Sequence, residues 1–337
     1  MGINLRYSPL EWDAQTSAYD FGGGRITNAI GQECYGTTWY VCGRSGSNGN
    51  NGLTPRTAFA TIQFALSTQI AHRASANRGY DWGDRIVVFP STYVESLTGT
   101  MTNVEITGIQ TGGGASHLAS IRPASSYSYT GSMTDSAFRN LLMMSPSTTN
   151  TEYAAIMPTY MGYSAIENCF ICGRAAGSVV GIQIGTPTDN TTEVKCDYSS
   201  ISGNHISTFY ANTSQFAYGI QHSALTVTNM LVKQMHNTVI ANNRIEASTA
   251  GIALGMQQHK SLGSVIRGNM ISSQEDDRGP TYGIRSYTPI SNQTCFVIGN
   301  YIKAVTDCIS QFEAENVMGN FVSTTGGTPV RENPDGT

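Results

Sequence analysis

"ISGNHI" (residues 201–206) returns down the chain as "IANNRI" (240–245), "IRGNMI" (266–271), "VIGNYI" (297–302) and "VMGNFV" (317–322), with "IENCFI" (166–171) ahead of it. Each carries an asparagine two residues before an aliphatic or aromatic side chain: Asn168, Asn204, Asn243, Asn269, Asn300 and Asn320. A second marker follows as Gly181–Ile182, Gly219–Ile220, Gly251–Ile252 and Gly283–Ile284, with Cys308–Ile309 in the same role. Self-similarity of this kind marks a stacked-repeat architecture. The short alternating patterns read as strands, and Gly and Asn permit the tight turns between them. One unit cannot bury its apolar face alone, but stacked units share a continuous Ile/Val/Phe interior. The asparagines are expected to form a ladder at one corner, each amide bonding its own turn or the next coil's asparagine. The fold class is therefore all-β, a single-stranded parallel β-helix.

The longer insertions, 185–198, 222–236 and 255–263, each follow the Gly–Ile strand. In-register stacking would make them emerge from one side, where solenoids usually carry their contacts. The shorter 273–282 would occupy another corner.

Composition agrees with this reading. Only 12% of the 337 residues are charged, against roughly 25% in an ordinary domain. The net charge is −4, and no Lys/Arg cluster offers the footprint of a nucleic-acid partner. No apolar run approaches the ~18 residues of a membrane span. The N-terminus lacks the basic start and apolar run of a secretory signal. Seven scattered cysteines read as free apolar fillers. Cys169 and Cys172 form a C-x-x-C without a second pair, on opposite faces of a strand, so neither a metal nor a cofactor is expected.

Ahead of the repeat, "WYVCGRSGSNGNNGLTPRTAFATIQFAL" (39–66) leads on to "GDRIVVFPSTYVE" (83–95). The first stretch has neither the lysine of a phosphate loop nor the carboxylates of an EF-hand, so it reads as a structural turn. Together the two stretches resemble the opening of pectin-lyase-like right-handed β-helix proteins: a strand, a Gly/Ser/Asn loop, Thr-Pro, a capping helix, Gly-Asp, a strand, then Pro-Gly-x-Tyr-x-Glu. Ser91 stands where that pattern has glycine. The resemblance implies strands at 39–42 and 85–89 and a capping helix over about 57–70. Phe59, Ile62, Leu66 and Ile70 would plug the open end. It also implies three segments: an N-terminal anchoring or assembly segment (1–38), the β-helix (39–325) and a C-terminal tail (326–337). The family spans lyases, glycosidases, epimerases, bacteriophage tailspikes and virion proteins, so fold alone does not fix chemistry.

Glycosidase chemistry needs two carboxylates roughly 5–10 Å apart. Glu246 lies three residues after its asparagine, with Ile171, Ser207, Ser272, Lys303 and Ser323 at the same offset and no second acid. Asp276 and Asp307 share another offset, and Asp277 belongs to the acidic turn Glu275–Asp277 beside Arg278. These four acids are the catalytic candidates. Arg244, Arg267 and Arg285 lie on successive coils without the acidic cluster that a lyase base would accompany. The histidines are isolated. Tyr127, Tyr129, Tyr153, Tyr160 and Tyr163 suit protein contacts, sugar stacking or core.

A low-charge solenoid without a secretory signal, preceded by a short segment, resembles a phage spike. The expected function is a bacteriophage virion structural protein, a capsid or tail appendage located in the virion. It would be a homotrimer, attached to other virion proteins through residues 1–38 and able to meet cell-surface polysaccharide. The alternatives are a tailspike-type polysaccharide depolymerase, hydrolase or lyase, and a soluble β-helical scaffold.

Overall fold

A computed structural model describes residues 36–76, 83–109, 118–146, 154–173, 180–185, 194–208, 216–222, 233–254, 263–272, 280–286, 295–310, 312 and 316–324, with the backbone of a few further short strands. The chain is an all-β parallel β-helix. Ten short strands, from Thr38–Val41 through Asp84–Val88 to Val317–Met318, stack in chain order and in parallel to form the first face. The second face stacks Leu141–Met144, Phe170–Gly173, His205–Thr208, Met270–Ser272, Tyr301–Ala304 and Asn320–Thr324. The third includes Tyr129–Thr134, Ala154–Gly162, Val180–Ile184, Phe216–His222, Tyr282–Ser286 and Asp307–Ser310. Strand Arg244–Leu254 runs unbroken from the second face into the third.

Register explains the repeat. Ile171, Ile206, Ile245, Ile271, Ile302 and Val322 pair in sequence and are buried. Ile182, Ile220, Ile252 and Ile284 make a second inward column. The glycines of the Gly–Ile marker leave room for the first: a Cβ on Gly219 would run into the Ile245 side chain and the Gly251 carbonyl. Gly181, Gly251 and Gly283 face the same obstruction from Ile206, Ile271 and Ile302. The three long insertions leave from Ile184, His222 and Leu254, which are mutually paired, so they start on one side. Most of their length lies outside the described residues.

At the corner between the first and second faces, each asparagine donates twice to the asparagine oxygen of the next coil. Asn204 Nδ2 reaches Asn243 Oδ1 at 3.0 Å, and Asn243, Asn269 and Asn300 repeat the bond at 2.9 Å each. The backbone N–H of each donates to the same oxygen. The second amide hydrogen goes to a carbonyl of the preceding coil, as from Asn269 to Ile240. Every rung from Asn204 to Asn320 is buried.

Asn168 is not a rung. Register places Cys169 opposite Asn204, and Cys169 N donates to Asn204 Oδ1 at 2.9 Å. Asn168 sits one residue earlier, exposed, with φ of 53°. There it matches Asn140, Gly203, Asn242 and Gly268, the left-handed residues that turn the corner. By the same shift, Cys172 and not Ile171 is the counterpart of Glu246. Cys169 belongs to the main core and Cys172 to a small satellite cluster with Leu118, Leu142 and Met144. Burial pushes the Cys169 thiol up to about 12, which suits an apolar filler.

The opening loop is built from its own asparagines. Asn48 Oδ1 accepts from the N–H groups of Ala60 and Thr61, and Asn50 Nδ2 donates to Ala58 O at 2.9 Å. The helix starts later than the sequence suggests, at Ile62–Ala76, because Pro55–Thr57 forms its own turn closed by a Thr54/Thr57 capping box. Ile62, Ala65 and Leu66 are its buried face. Phe59 is buried ahead of the helix, whereas Ile70 is exposed and Gln69 takes the inward place, donating to Asp84 at 3.0 Å. Glu95 caps the helix N-terminus by accepting from Ile62 N and Gln63 N, both at 2.9 Å. Tyr93 OH donates to Phe89 O. The Tyr-x-Glu of the opening motif is thus a folding device. Ahead of the helix, Glu11–Asp13, Ala18–Asp20, Arg25–Thr27 and Gln32–Glu33 form a four-stranded antiparallel sheet. In the stretch expected as a tail, Val330–Glu332 pairs antiparallel with Asn320–Thr324.

Replacing Asn269 by Ala removes the acceptor of two buried donors and the donor to Ile240 O, and should cost about 2–4 kcal/mol. Asn168→Gly, at an exposed left-handed corner, should change stability by well under 1 kcal/mol. Denaturant unfolding of both variants checks the contrast, which the sequence repeat alone would not suggest.

Candidate functional site

The corner between the third and first faces is also built on left-handed residues. Asn103, Asp135, Tyr163, Tyr198, Asn237 and Gly263 occupy it on consecutive coils, with φ of 48°, 47°, 50°, 51°, 46° and 68°. A buried hydroxyl follows from the second coil onward, at Ser136, Ser164, Ser199, Thr238 and Ser264. Ser136 N donates to Ser164 Oγ at 3.3 Å, Ser164 N to Ser199 Oγ at 3.2 Å, and Thr238 N to Ser264 Oγ at 3.3 Å. This second polar ladder escaped the sequence reading. Its signal is a dipeptide, Asp-Ser, Tyr-Ser, Tyr-Ser, Asn-Thr, Gly-Ser, whose first member varies too much to stand out.

Asn, Asp and Gly suit a left-handed corner, whereas a bulky aromatic there is uncommon and strained. Tyr163 and Tyr198 are nevertheless placed on it, 61% and 53% exposed. Their rings are parallel within 2° and 4.8 Å apart. Among the described residues they are the largest exposed aromatics held in this conformation.

Tyr163 forms one wall of an open groove of about 320 Å³ on the first face, with Asp84, Arg85, Glu105, Asp135 and Arg139 among its lining. A ladder of charge crosses the floor. Arg85 meets Glu105 at 3.3 Å, Arg139 meets Glu105 at 3.1 Å and Glu167 at 3.2 Å. Asp84 is buried and accepts from Thr37 N and Gln69 Nε2. Asp135 is exposed, and its carboxylate makes no ion pair or hydrogen bond with any described residue.

On the third-face side of the tyrosines lie Tyr160, Lys195, Asp197 and His236. His236 Nδ1 is 3.4 Å from Asp197 Oδ1. Burial and the nearby Asp197 raise the Tyr160 phenol above its usual range. Gly162 makes room for that ring, since a Cβ there would strike the Tyr160 hydroxyl.

The candidate acids do not converge. Glu246 is on the second face, only 5% exposed. It accepts from Ser207 Oγ and from Arg244 Nη2 at 2.9 Å and Nε at 3.2 Å, with His205 Nε2 at 3.9 Å. Burial alone would raise its carboxyl, but His205, Ser207 and Arg244 outweigh burial and hold it at about 2. Such a group is a fixed anion and not a general acid. Asp307 is exposed on the third face, while Asp276 and Asp277 lie outside the described residues. Arg244, Arg267 and Arg285 fall on the second, first and third faces respectively, so they do not stack in one column. Arg285 lies over the Tyr282 ring at 4.1 Å. No cluster of three or more metal-ligating side chains occurs among the described residues.

No protein-family model and no curated protein matches the chain. Among solved structures, it is similar to the GH136 lacto-N-biosidase from Eubacterium ramulus, at 13% identity and a TM-score of 0.52 over 86% of this chain. The chain spans 56% of the length of that structure. PfbA, a surface adhesin of Streptococcus pneumoniae, is 11% identical with a TM-score of 0.38, covering 78% of this chain and 77% of its own. The Dettilon tailspike protein is 13% identical with a TM-score of 0.37, covering 85% and 61%. At 13% identity the likeness to the lacto-N-biosidase shows the fold alone, and no phage type is singled out.

Because the Glu246 carboxyl is depressed in the fold, its stabilisation is complete above the usual glutamate range and fades as pH falls toward about 2. Glu246→Gln should cost about 1–3 kcal/mol at pH 7. The gap to the parent protein should close as thermal unfolding is followed from pH 5 down to pH 2.

Proposed function

We propose that the protein is a glycan-binding β-helix, with the solenoid as a rigid rod and the Tyr163–Tyr198 corner as its recognition element. The observation that carries this reading is the pair of exposed, stacked tyrosines held in a strained corner conformation above a groove. Strain at a single position is tolerated in many folds, but paired strain that exposes two large rings points to use of those rings. Aromatic faces take the apolar face of a pyranose, and the polar groups around the groove can bond its hydroxyls. Glu246, already held by Arg244 and Ser207, lies on another face and takes no part.

Within this reading the chain is a virion protein of spike or capsid-appendage type, a homotrimer whose residues 1–38 attach it to the particle. The small antiparallel sheet ahead of the solenoid supports such a division of labour. Removal of residues 1–35, which spares the Thr37 bond to Asp84 and the strand Thr38–Val41, should leave a folded β-helix that no longer joins particles.

Tyr163→Asn with Tyr198→Asn tests the recognition element, because asparagine is already the corner residue at 103 and 237. The strain relieved at two corners, about 1 kcal/mol each, should offset the lost ring stack of about 1 kcal/mol. We expect an unfolding midpoint equal to or above the parent's, together with at least a tenfold loss of binding on a glycan array. Unchanged array binding would remove the basis of the proposal.

A further inference from the structure

We infer that the groove selects glycans by charge, taking amino sugars in preference to neutral ones and rejecting uronates, with Asp135 as the specificity-determining residue. This inference rests on the glycan-binding reading of the same corner. It follows from an inventory of the charges around Tyr163.

The groove lining contains the cations Arg85 and Arg139 and the anions Asp84, Glu105 and Asp135. Both cations are neutralised from within the fold, Arg85 by Glu105 and Arg139 by Glu105 and Glu167. Neither arginine therefore presents an uncompensated positive charge to a ligand carboxylate. Asp84 is buried and engaged by Thr37 N at 2.8 Å and Gln69 Nε2 at 3.0 Å. Asp135 differs: it is exposed, lines the groove, and pairs with no described side chain. On the other side of the tyrosines the Asp197 anion is accompanied by Lys195, which acts on the Tyr160 phenol in the opposite sense, and by His236 at 3.4 Å, so that side supplies no excess of either sign. On the groove side of Tyr163 the charge left uncompensated by the fold is thus the Asp135 carboxylate.

With one face of Tyr163 covered by Tyr198, a sugar in the groove meets the remaining face or edge of the ring. A protonated amino group there gains from the ring quadrupole and from the Asp135 carboxylate together. A uronate placed there meets a like charge with no compensating cation. The corner geometry permits the test without disturbing the fold. Asparagine is accepted at this left-handed position on two other coils, and Asp135→Asn removes only the charge.

The experiment is calorimetric titration of the intact protein with three tetrasaccharide probes: β-1,4-linked glucosamine, β-1,4-linked glucose and α-1,4-linked galacturonate. The parent should bind the glucosamine probe at least fivefold more tightly than the glucose probe, and the galacturonate probe most weakly. Raising the salt concentration should shrink the first ratio. Asp135→Asn should bring glucosamine and glucose to within about twofold of one another, while Tyr163→Asn weakens both. Equal or reversed affinities in the parent, or a ratio unmoved by Asp135→Asn, would overturn the charge selection and leave glycan binding standing. Failure of all three probes to bind would overturn both.

Discussion

A buried asparagine amide bonded to the asparagine oxygen of the next coil sets the phase of the C-terminal half of this molecule. From Asn243 to Asn320 each oxygen receives a backbone N–H and a side-chain N–H from the coil before it. A coil rotated by one residue would bury those donors without an acceptor and turn its isoleucines outward. Register is therefore enforced twice, by polar satisfaction at the corner and by the Ile columns beside it. The hydroxyl ladder at the opposite corner of the first face adds a third constraint, with Ser136, Ser164, Ser199 and Thr238 each closing the turn that precedes it and Ser264 reaching Met235 O of the coil before.

This scaffold leaves the exterior free to vary. Insertions of very different length separate the rungs, yet the paired strands keep the same partners. The outer side of the first face can therefore carry an Arg–Glu ladder on some coils and apolar residues on others. The corner can hold Asn on one coil and Tyr on the next. What the tyrosines cost in backbone strain is small beside the stabilisation supplied by the two ladders.

Much of this was legible in the residues. The Asn-x-Ile repeat revealed the solenoid, and the Gly–Ile pair marked a real steric relation between a missing Cβ and the neighbouring isoleucine. The misplaced rung has a physical source, the presence of two asparagine-tolerant positions side by side at the corner. Asn168 looked like a rung because left-handed corners also favour asparagine, and the true rung there is Cys169. The helix boundary shifted because Thr54-Pro-Arg-Thr closes a turn of its own before the helix begins. The candidate site was only half visible: Tyr163 stood among other tyrosines, but nothing local in the sequence says that it occupies a left-handed corner beside Tyr198. That follows from three-dimensional register, which places residues 163 and 198 one above the other across a long insertion.

The asparagine bonds all run the same way, from the amide of one coil to the oxygen of the following one. The ladder is therefore a directional chain of dipoles, and each bond polarises its neighbour. A partly formed solenoid would end, at its growing edge, in donors that only the next coil can satisfy. That edge is completed only when a further coil docks on it. The antiparallel strand Val330–Glu332 lies against Asn320–Thr324, the strand that carries the last rung.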